Sequence, residues 1–250
     1  MNSEEQFFTL TTMQNRLLSR LALFKQQADS ILVIAPGSLS IIDKLRQNYP
    51  KANIFAFEPR KSLQGFHENI TYISGSAKEL ELEAKSMDLV IGNGLSHTIA
   101  DIEDLFNSVL CCLKANGVFC FSLYGPETWK IDNLNDKDHF CDMHHIGDSL
   151  KDAGFTDPVM DSQDFHIEYQ QAKGFIQDLE NSAEYQLLEP ELWQRIQELK
   201  PEEPLTVPYQ FLFGHAIAPE TINPKQVQYA NGNIGVDIST LSTKKDNPDG

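Results

Sequence analysis

The chain has 250 residues, of which 41% are hydrophobic, and a formal net charge of −16. That is enough apolar material for one large α/β domain, or a domain with an insertion, and no apolar run approaches the ~18 residues of a membrane span. So acidic a surface argues against general nucleic-acid binding and against binding to anionic membranes, since both need a basic face. The opening Met1-Asn2-Ser3-Glu4-Glu5 has no basic segment leading into an apolar run, so no signal peptide and a cytoplasmic location are expected.

Leu10, Met13, Leu17, Leu18, Leu21 and Phe24 recur at helical spacing and predict an amphipathic helix over 9–28. Ile31-Leu32-Val33-Ile34-Ala35 is a continuous apolar run stopped by Pro36-Gly37, the pattern of a strand buried on both faces. A helix is predicted over 38–48, ended by Tyr49-Pro50. Further short strands are predicted at 53–57, 70–73, 88–91 and 118–123, with a helix over 101–114 capped by Asn116-Gly117. Strands alternating with helices predict a doubly wound parallel sheet with helices on both faces. Beyond Leu123 the rhythm changes: a helix over 144–153 stopped by Gly154, a strand over 158–169, helices over 170–181 and 190–199, and a strand over 210–218. One domain over 1–241 is expected, with a helical insertion at about 170–205, and a disordered polar tail over 242–250.

In an open parallel sheet ligands bind outside the carboxyl ends of the strands. Here those ends are the loop after Ala35, Glu58 after the second strand, and the loop after Ile91. An acid in the place of Glu58 can accept hydrogen bonds from both hydroxyls of a ribose. The dinucleotide fingerprint G-x-G-x-x-G and the phosphate-loop spacing are both absent, with only Gly37 in the first loop. The four cysteines contain no Cys-x-x-Cys pair, and Cys141, His144 and His145 are too few for a closed zinc site. No metal is expected.

Three segments carry a more specific signal: Leu123-Tyr124-Gly125-Pro126-Glu127-Thr128-Trp129, the run from Asp142 to Asp161, and Leu212-Phe213-Gly214-His215-Ala216. In these segments and in the order of its parts the chain resembles the class I S-adenosylmethionine-dependent methyltransferases. Within them it is similar to the malonyl-acyl-carrier-protein O-methyltransferases of biotin synthesis. The resemblance implies a seven-stranded sheet whose last strand is antiparallel, S-adenosylmethionine as methyl donor, a malonyl thioester carboxylate as acceptor, and an acyl carrier protein as partner. It implies cofactor contacts at Ala35, Gly37, Glu58, Pro59, Ser76, Ala77 and Asn93. Tyr124 and His144 are candidates for the acceptor pocket, with a purely structural role as the alternative for each.

The chain departs from that family in its first loop. Val33 stands where the family has an acid, Ala35 and Leu39 where it has glycines, and Ser76 where it has an aspartate. These departures raise the alternative of a non-catalytic homologue acting as a binding or assembly protein. Charge bears on the partner. Residues 1–61 hold eight Lys/Arg against five acids, so a surplus of +3 sits there and −19 on the rest. An acidic carrier protein would meet the N-terminal part, unless those cations serve ordinary solvated helix faces.

Overall fold

Ile31, Leu32, Val33 and Ile34 are all at most 1% exposed, and such a run must be covered on both faces. The computed structural model describes residues 8–21, 27–35, 40–57, 70–73, 75–76, 79–80, 82–95, 99–131, 140–182, 188–220, 226–228 and 234–236. In chain order these form α1 (Phe8–Leu21), β1 (Ser30–Ile34), α2 (Ser40–Asn48), β2 (Asn53–Phe57), β3 (Thr71–Tyr72), β4 (Gly75–Ser76), β5 (Glu79–Leu80) and β6 (Met87–Gly92). Then follow α3 (Ile99–Cys112), β7 (Leu113–Tyr124), α4 (Met143–Ala153), β8 (Thr156–Tyr169), α5 (Ala172–Ser182), α6 (Pro190–Gln197), β9 (Leu205–Ile217), β10 (Gln226–Gln228) and β11 (Ile234–Val236).

Seven strands make one sheet in the order β3-β2-β1-β6-β7-β9-β8. The pairs from β3 to β7 are parallel, and β9 runs antiparallel to both β7 and β8. This is the doubly wound, mostly parallel sheet that the strand–helix alternation predicts, with the reversed last strand that the resemblance implies. Alternation along β1 assigns its residues to two apolar layers. Ile31 and Val33 join Met13, Leu17, Ile41, Leu45, Phe175 and Leu192 on the side of α1, α2, α5 and α6. Leu32 and Ile34 join Ile102, Phe106, Ile146 and Leu150 on the side of α3 and α4.

The predicted stop at Gly154 is met. Its φ of 106° is left-handed, and its N–H turns back to the carbonyls of Leu150 and Lys151. The predicted cap at Asn116-Gly117 is not. α3 ends at Cys112, and Leu113 already pairs with Met87 on β6. The Asn116 N–H donates to Ala218 O (2.9 Å), and the Ala218 N–H to Gly117 O (2.8 Å). Sheet hydrogen bonds from a distant strand thus claim the residues whose local chemistry suits a helix end. β9 is likewise longer than predicted and contains Pro208. The Pro208 carbonyl accepts from Trp129 N–H (2.9 Å), on the edge where β7 has already ended, so the missing proline N–H breaks no ladder. The small hairpin of β4 and β5 and the pair β10–β11 are not signalled by the sequence pattern. The tail over 242–250 lies outside the described residues. Among the described residues no helix is long and apolar enough to cross a membrane.

Candidate functional site

The carboxyl ends of β1, β2, β6 and β7 meet along one rim of the sheet, and backbone hydrogen bonds tie their exit turns together. Ala35 N–H donates to Phe57 O at the end of β2 (2.8 Å), Asn93 N–H to Ile34 O (3.1 Å), and Leu95 N–H to Ser122 O on β7 (2.8 Å). Ala35 and Asn93, two of the predicted cofactor contacts, are therefore brought to one spot. Gly37, Glu58, Pro59 and Ala77 lie outside the described residues. Glu58 directly follows Phe57, whose carbonyl anchors the turn at Ala35. Ser76 pairs with Glu79 in the hairpin of β4 and β5.

Ala35 is 3% exposed and has φ 49°. An alanine in this left-handed region is strained by ~1–2 kcal/mol, whereas glycine adopts it freely. The sharp turn that a glycine would give is therefore kept despite the methyl group. Ala35→Gly is expected to raise stability by ~0.5–1 kcal/mol in urea unfolding, the relief of strain exceeding the added freedom of the unfolded chain. A loss of stability would contradict this account of the turn.

Asn93 is 1% exposed and its side-chain amide is bonded within the chain at both its oxygen and its nitrogen. Ser122 Oγ–H donates to its Oδ1 (3.2 Å), and its Nδ2 donates to the carbonyl of Leu10 on α1 (3.3 Å). Ser122 Oγ in turn accepts from Gly94 N–H (3.0 Å). Gly94 has φ 63°, and a Cβ there would stand 2.7 Å from Leu10 Cδ2, so the first turns of α1 lie hard against this loop. Gln14, 1% exposed, fixes the next turn by donating to Ser40 Oγ at the start of α2 (2.7 Å).

Tyr124 is 2% exposed and walled in by rings: Trp129 at 5.4 Å, Phe140 at 5.5 Å, Phe211 at 5.8 Å and Tyr209 at 6.2 Å between centroids. The segment Gly125–Trp129 builds this cluster. Gly125 N–H and Thr128 Oγ1–H both donate to Gln210 O, at 2.8 and 3.0 Å, while Gln210 N–H donates to Thr128 Oγ1 at 3.0 Å. That double hook carries Trp129 into the core at φ 61° with no exposed surface. His144 is placed differently. Its side chain is 83% exposed at the start of α4, with Nδ1 3.4 Å from the Asp142 carboxylate. Asp142 caps that helix by accepting from the His144 and His145 amides, and these bonds hold its carboxyl below the usual value.

The residues that the sequence reading missed are Leu10, Gln14, Ser122 and the arginines of α1. Ser and Gln are too common for sequence to single out, but Arg16 and Arg20 stand at i, i+4 and could have been read as one face. Arg20 lies 3.9 Å above the Phe213 ring and pairs with Asp161. Arg16 lies over Phe165 at 5.1 Å and donates to Gln163 Oε1 at 2.7 Å. Two of the N-terminal cations are thus committed to the chain's own sheet.

A separate cleft of about 290 Å³ opens beneath the far end of α1, lined by Leu17, Arg20, Cys120, Val159, Phe213 and His215 among others. Burial pushes the Cys120 thiol up to about 12, leaving it un-ionised and inert. Burial also moves His215 below its ordinary 6.5. With the folded value below the unfolded one, the unfolded chain binds more protons as pH falls past that value, so folding stability drops there. Stability measured by urea unfolding should decline as pH falls below the ordinary 6.5, and His215→Gln should flatten part of the decline. An unchanged slope in that variant would rule the histidine out as a contributor.

The strand order, the reversed last strand and the turns gathered at the carboxyl rim define a Rossmann-like fold of the class I methyltransferase type, and the methyltransferase-domain family matches residues 32–121. Within that class the chain is similar to the malonyl-[acyl-carrier protein] O-methyltransferase of Nitrosospira multiformis, with 27% identity over 82% of this chain and 81% of that protein. Among solved structures it is similar to the YcgJ protein of Bacillus subtilis, with TM-score 0.56, 13% identity, and coverage of 82% of this chain and 99% of that one. It is also similar to phosphoethanolamine N-methyltransferase 2 of Haemonchus contortus in complex with S-adenosylhomocysteine, with TM-score 0.50, 16% identity, and coverage of 82% of this chain and 53% of that one.

Proposed function

We propose that the chain is an S-adenosylmethionine-dependent O-methyltransferase acting on the carboxylate of a malonyl thioester carried by an acyl carrier protein. The observation that carries this reading is the likeness, over four fifths of both chains, to proteins named for that activity. The tied exit turns of β1, β2 and β6 support it. They keep the left-handed turn at Ala35, where the resembled family has a glycine.

In this reading Glu58 would accept from the ribose hydroxyls, with Pro59 next to it in sequence, and Ser76 and Ala77 would serve the adenine. Ala35, Gly37 and Asn93 would serve the cofactor's amino-acid part. The cofactor supplies an electrophilic methyl group on a sulfonium. The acceptor carboxylate is already ionised, so the chain needs no general base. Its residues orient the two partners and exclude water, with α1 as cover and the cluster around Tyr124 as a dry wall. His144, exposed at the start of α4, would meet the acceptor from the solvent side. The carrier protein would meet the cationic N-terminal quarter. Its described cations outside α1 are Lys44, Arg46 and Lys51, on and after α2. Incubating the purified chain with S-adenosylmethionine and malonyl carrier protein should give a methyl ester detectable by mass spectrometry. Its absence at high enzyme concentration would sink the proposal.

A second reading, a methyltransferase homologue that binds a partner without catalysis, is favoured by one observation. The Asn93 amide is already bonded within the chain at both ends, and Leu10 fills the space over Gly94. Titration calorimetry separates the two, since tight binding of S-adenosylmethionine or S-adenosylhomocysteine argues against this second reading.

A further inference from the structure

We infer that α1 is a latched roof over the carboxyl ends of β1 and β6, and that Asn93 is the positioning residue that holds it shut. The inference rests on the proposed function only in taking that rim as the ligand site. The latch itself is a chain of hydrogen bonds with a fixed direction. Ser122 Oγ accepts from Gly94 N–H, and its single proton goes to Asn93 Oδ1. That leaves the amide one orientation, with Nδ2 aimed at the Leu10 carbonyl. All three groups are buried: Ser122 is 0%, Asn93 1% and Leu10 3% exposed. Breaking the bond to Leu10 therefore strands a buried amide, whereas keeping it pins the helix to the loop.

Packing acts with the bond. Leu10 Cδ2 would lie 2.7 Å from a Cβ on Gly94, and only a residue without a side chain lets the helix come so close. Gln14 on Ser40 holds the following turn from the other side of the rim. The first turns of α1 are thus attached at two points to the loops that would surround a ligand. A ligand entering above Gly94 has to lift Leu10, and the helix closing again would seal the site from water.

The test is amide hydrogen exchange at residues 8–14 of the ligand-free full chain, comparing the unmodified protein with Asn93→Ala, Ser122→Ala and the double variant. Each single change should speed exchange of these amides by about tenfold, while α3 stays unchanged. The bonds act in series, so the double variant should exchange no faster than the faster single one. Should Asn93→Ala fail to fold, Ser122→Ala, which keeps the amide but frees its orientation, decides the matter. Unchanged exchange over 8–14 overturns the latch. A second readout is titration with S-adenosylhomocysteine. The affinity of Ser122→Ala should stay within about threefold, because its hydroxyl bonds to Gly94 and Asn93 and has no place in the proposed site, and Asn93→Ala is compared with it. A tenfold loss in Asn93→Ala with unaltered exchange would instead make Asn93 a ligand contact. If the unmodified chain binds no S-adenosylhomocysteine, the cofactor reading falls while the exchange experiment still judges the latch.

Discussion

Replacing Trp129 by alanine should destabilise the protein by ~3–5 kcal/mol, the cost of emptying a fully buried aromatic site that cannot collapse. The ring has no exposed surface and touches the rings of Tyr124, Phe140 and Tyr209, at 5.4, 5.4 and 6.4 Å. Its backbone is held at φ 61°, a region that disfavours a bulky residue. A strained residue persists only where its surroundings over-determine it, and here the Thr128–Gln210 hook and the Pro208 carbonyl do so. Neither anchor is lost in the variant, so the cavity stays open and its full cost is felt. Urea unfolding followed by far-ultraviolet circular dichroism measures the loss, and Trp129→Phe should lose clearly less. A loss below about 1 kcal/mol for Trp129→Ala would mean that the segment after β7 is peripheral and that Tyr124 is not walled in.

The second large effect concerns position 33. Val33 is 0% exposed, paired with Ala56 on β2 and Ile91 on β6, and lies in the apolar layer with Met13, Ile41 and Leu45. Val33→Asp would reinstate the acid that the resembled family carries at this point. In this chain it would bury a carboxylate among methyl groups, and we expect a destabilisation of ~3–5 kcal/mol at neutral pH. Burial would raise the folded pKa of the introduced carboxyl above its unfolded value. The penalty should therefore be smallest at low pH, where the group is protonated in both states, and grow as pH rises past the unfolded value. Urea unfolding across pH tests both size and slope. A loss below about 1 kcal/mol would show that water or a cation reaches position 33, and that this part of the rim is still built for a polar ligand.

These two positions show what can be read from a sequence and what cannot. The strand around Val33 was legible because four consecutive apolar residues have one explanation in an alternating β-α chain, a strand covered on both sides. The helix stop at Gly154 was legible because a left-handed cap is a local demand of the backbone. The segment Gly125–Trp129 was legible only as a resemblance. Its residue types make sense once β9 lies beside it, with Gln210 and Pro208 offering the carbonyls that Gly125, Thr128 and Trp129 bind. Asn116-Gly117 was misread for the same reason, since Ala218, about a hundred residues on, outcompetes the helix end for their hydrogen bonds.

By itself, then, the sequence determined the strand–helix alternation, the parallel half of the sheet, and the three loops where a ligand would sit. All of these follow from period, composition and turn chemistry within short windows. Only the tertiary structure decided that Tyr124 is enclosed by rings, that His144 faces solvent at a helix start, and that Asn93 turns its amide to α1. Two of these depend on partners brought together across 80 or more residues, Leu10 with Asn93 and Tyr124 with Phe211. A polar or aromatic side chain has several ways to be satisfied, and which one it takes is settled by the neighbour that packing supplies.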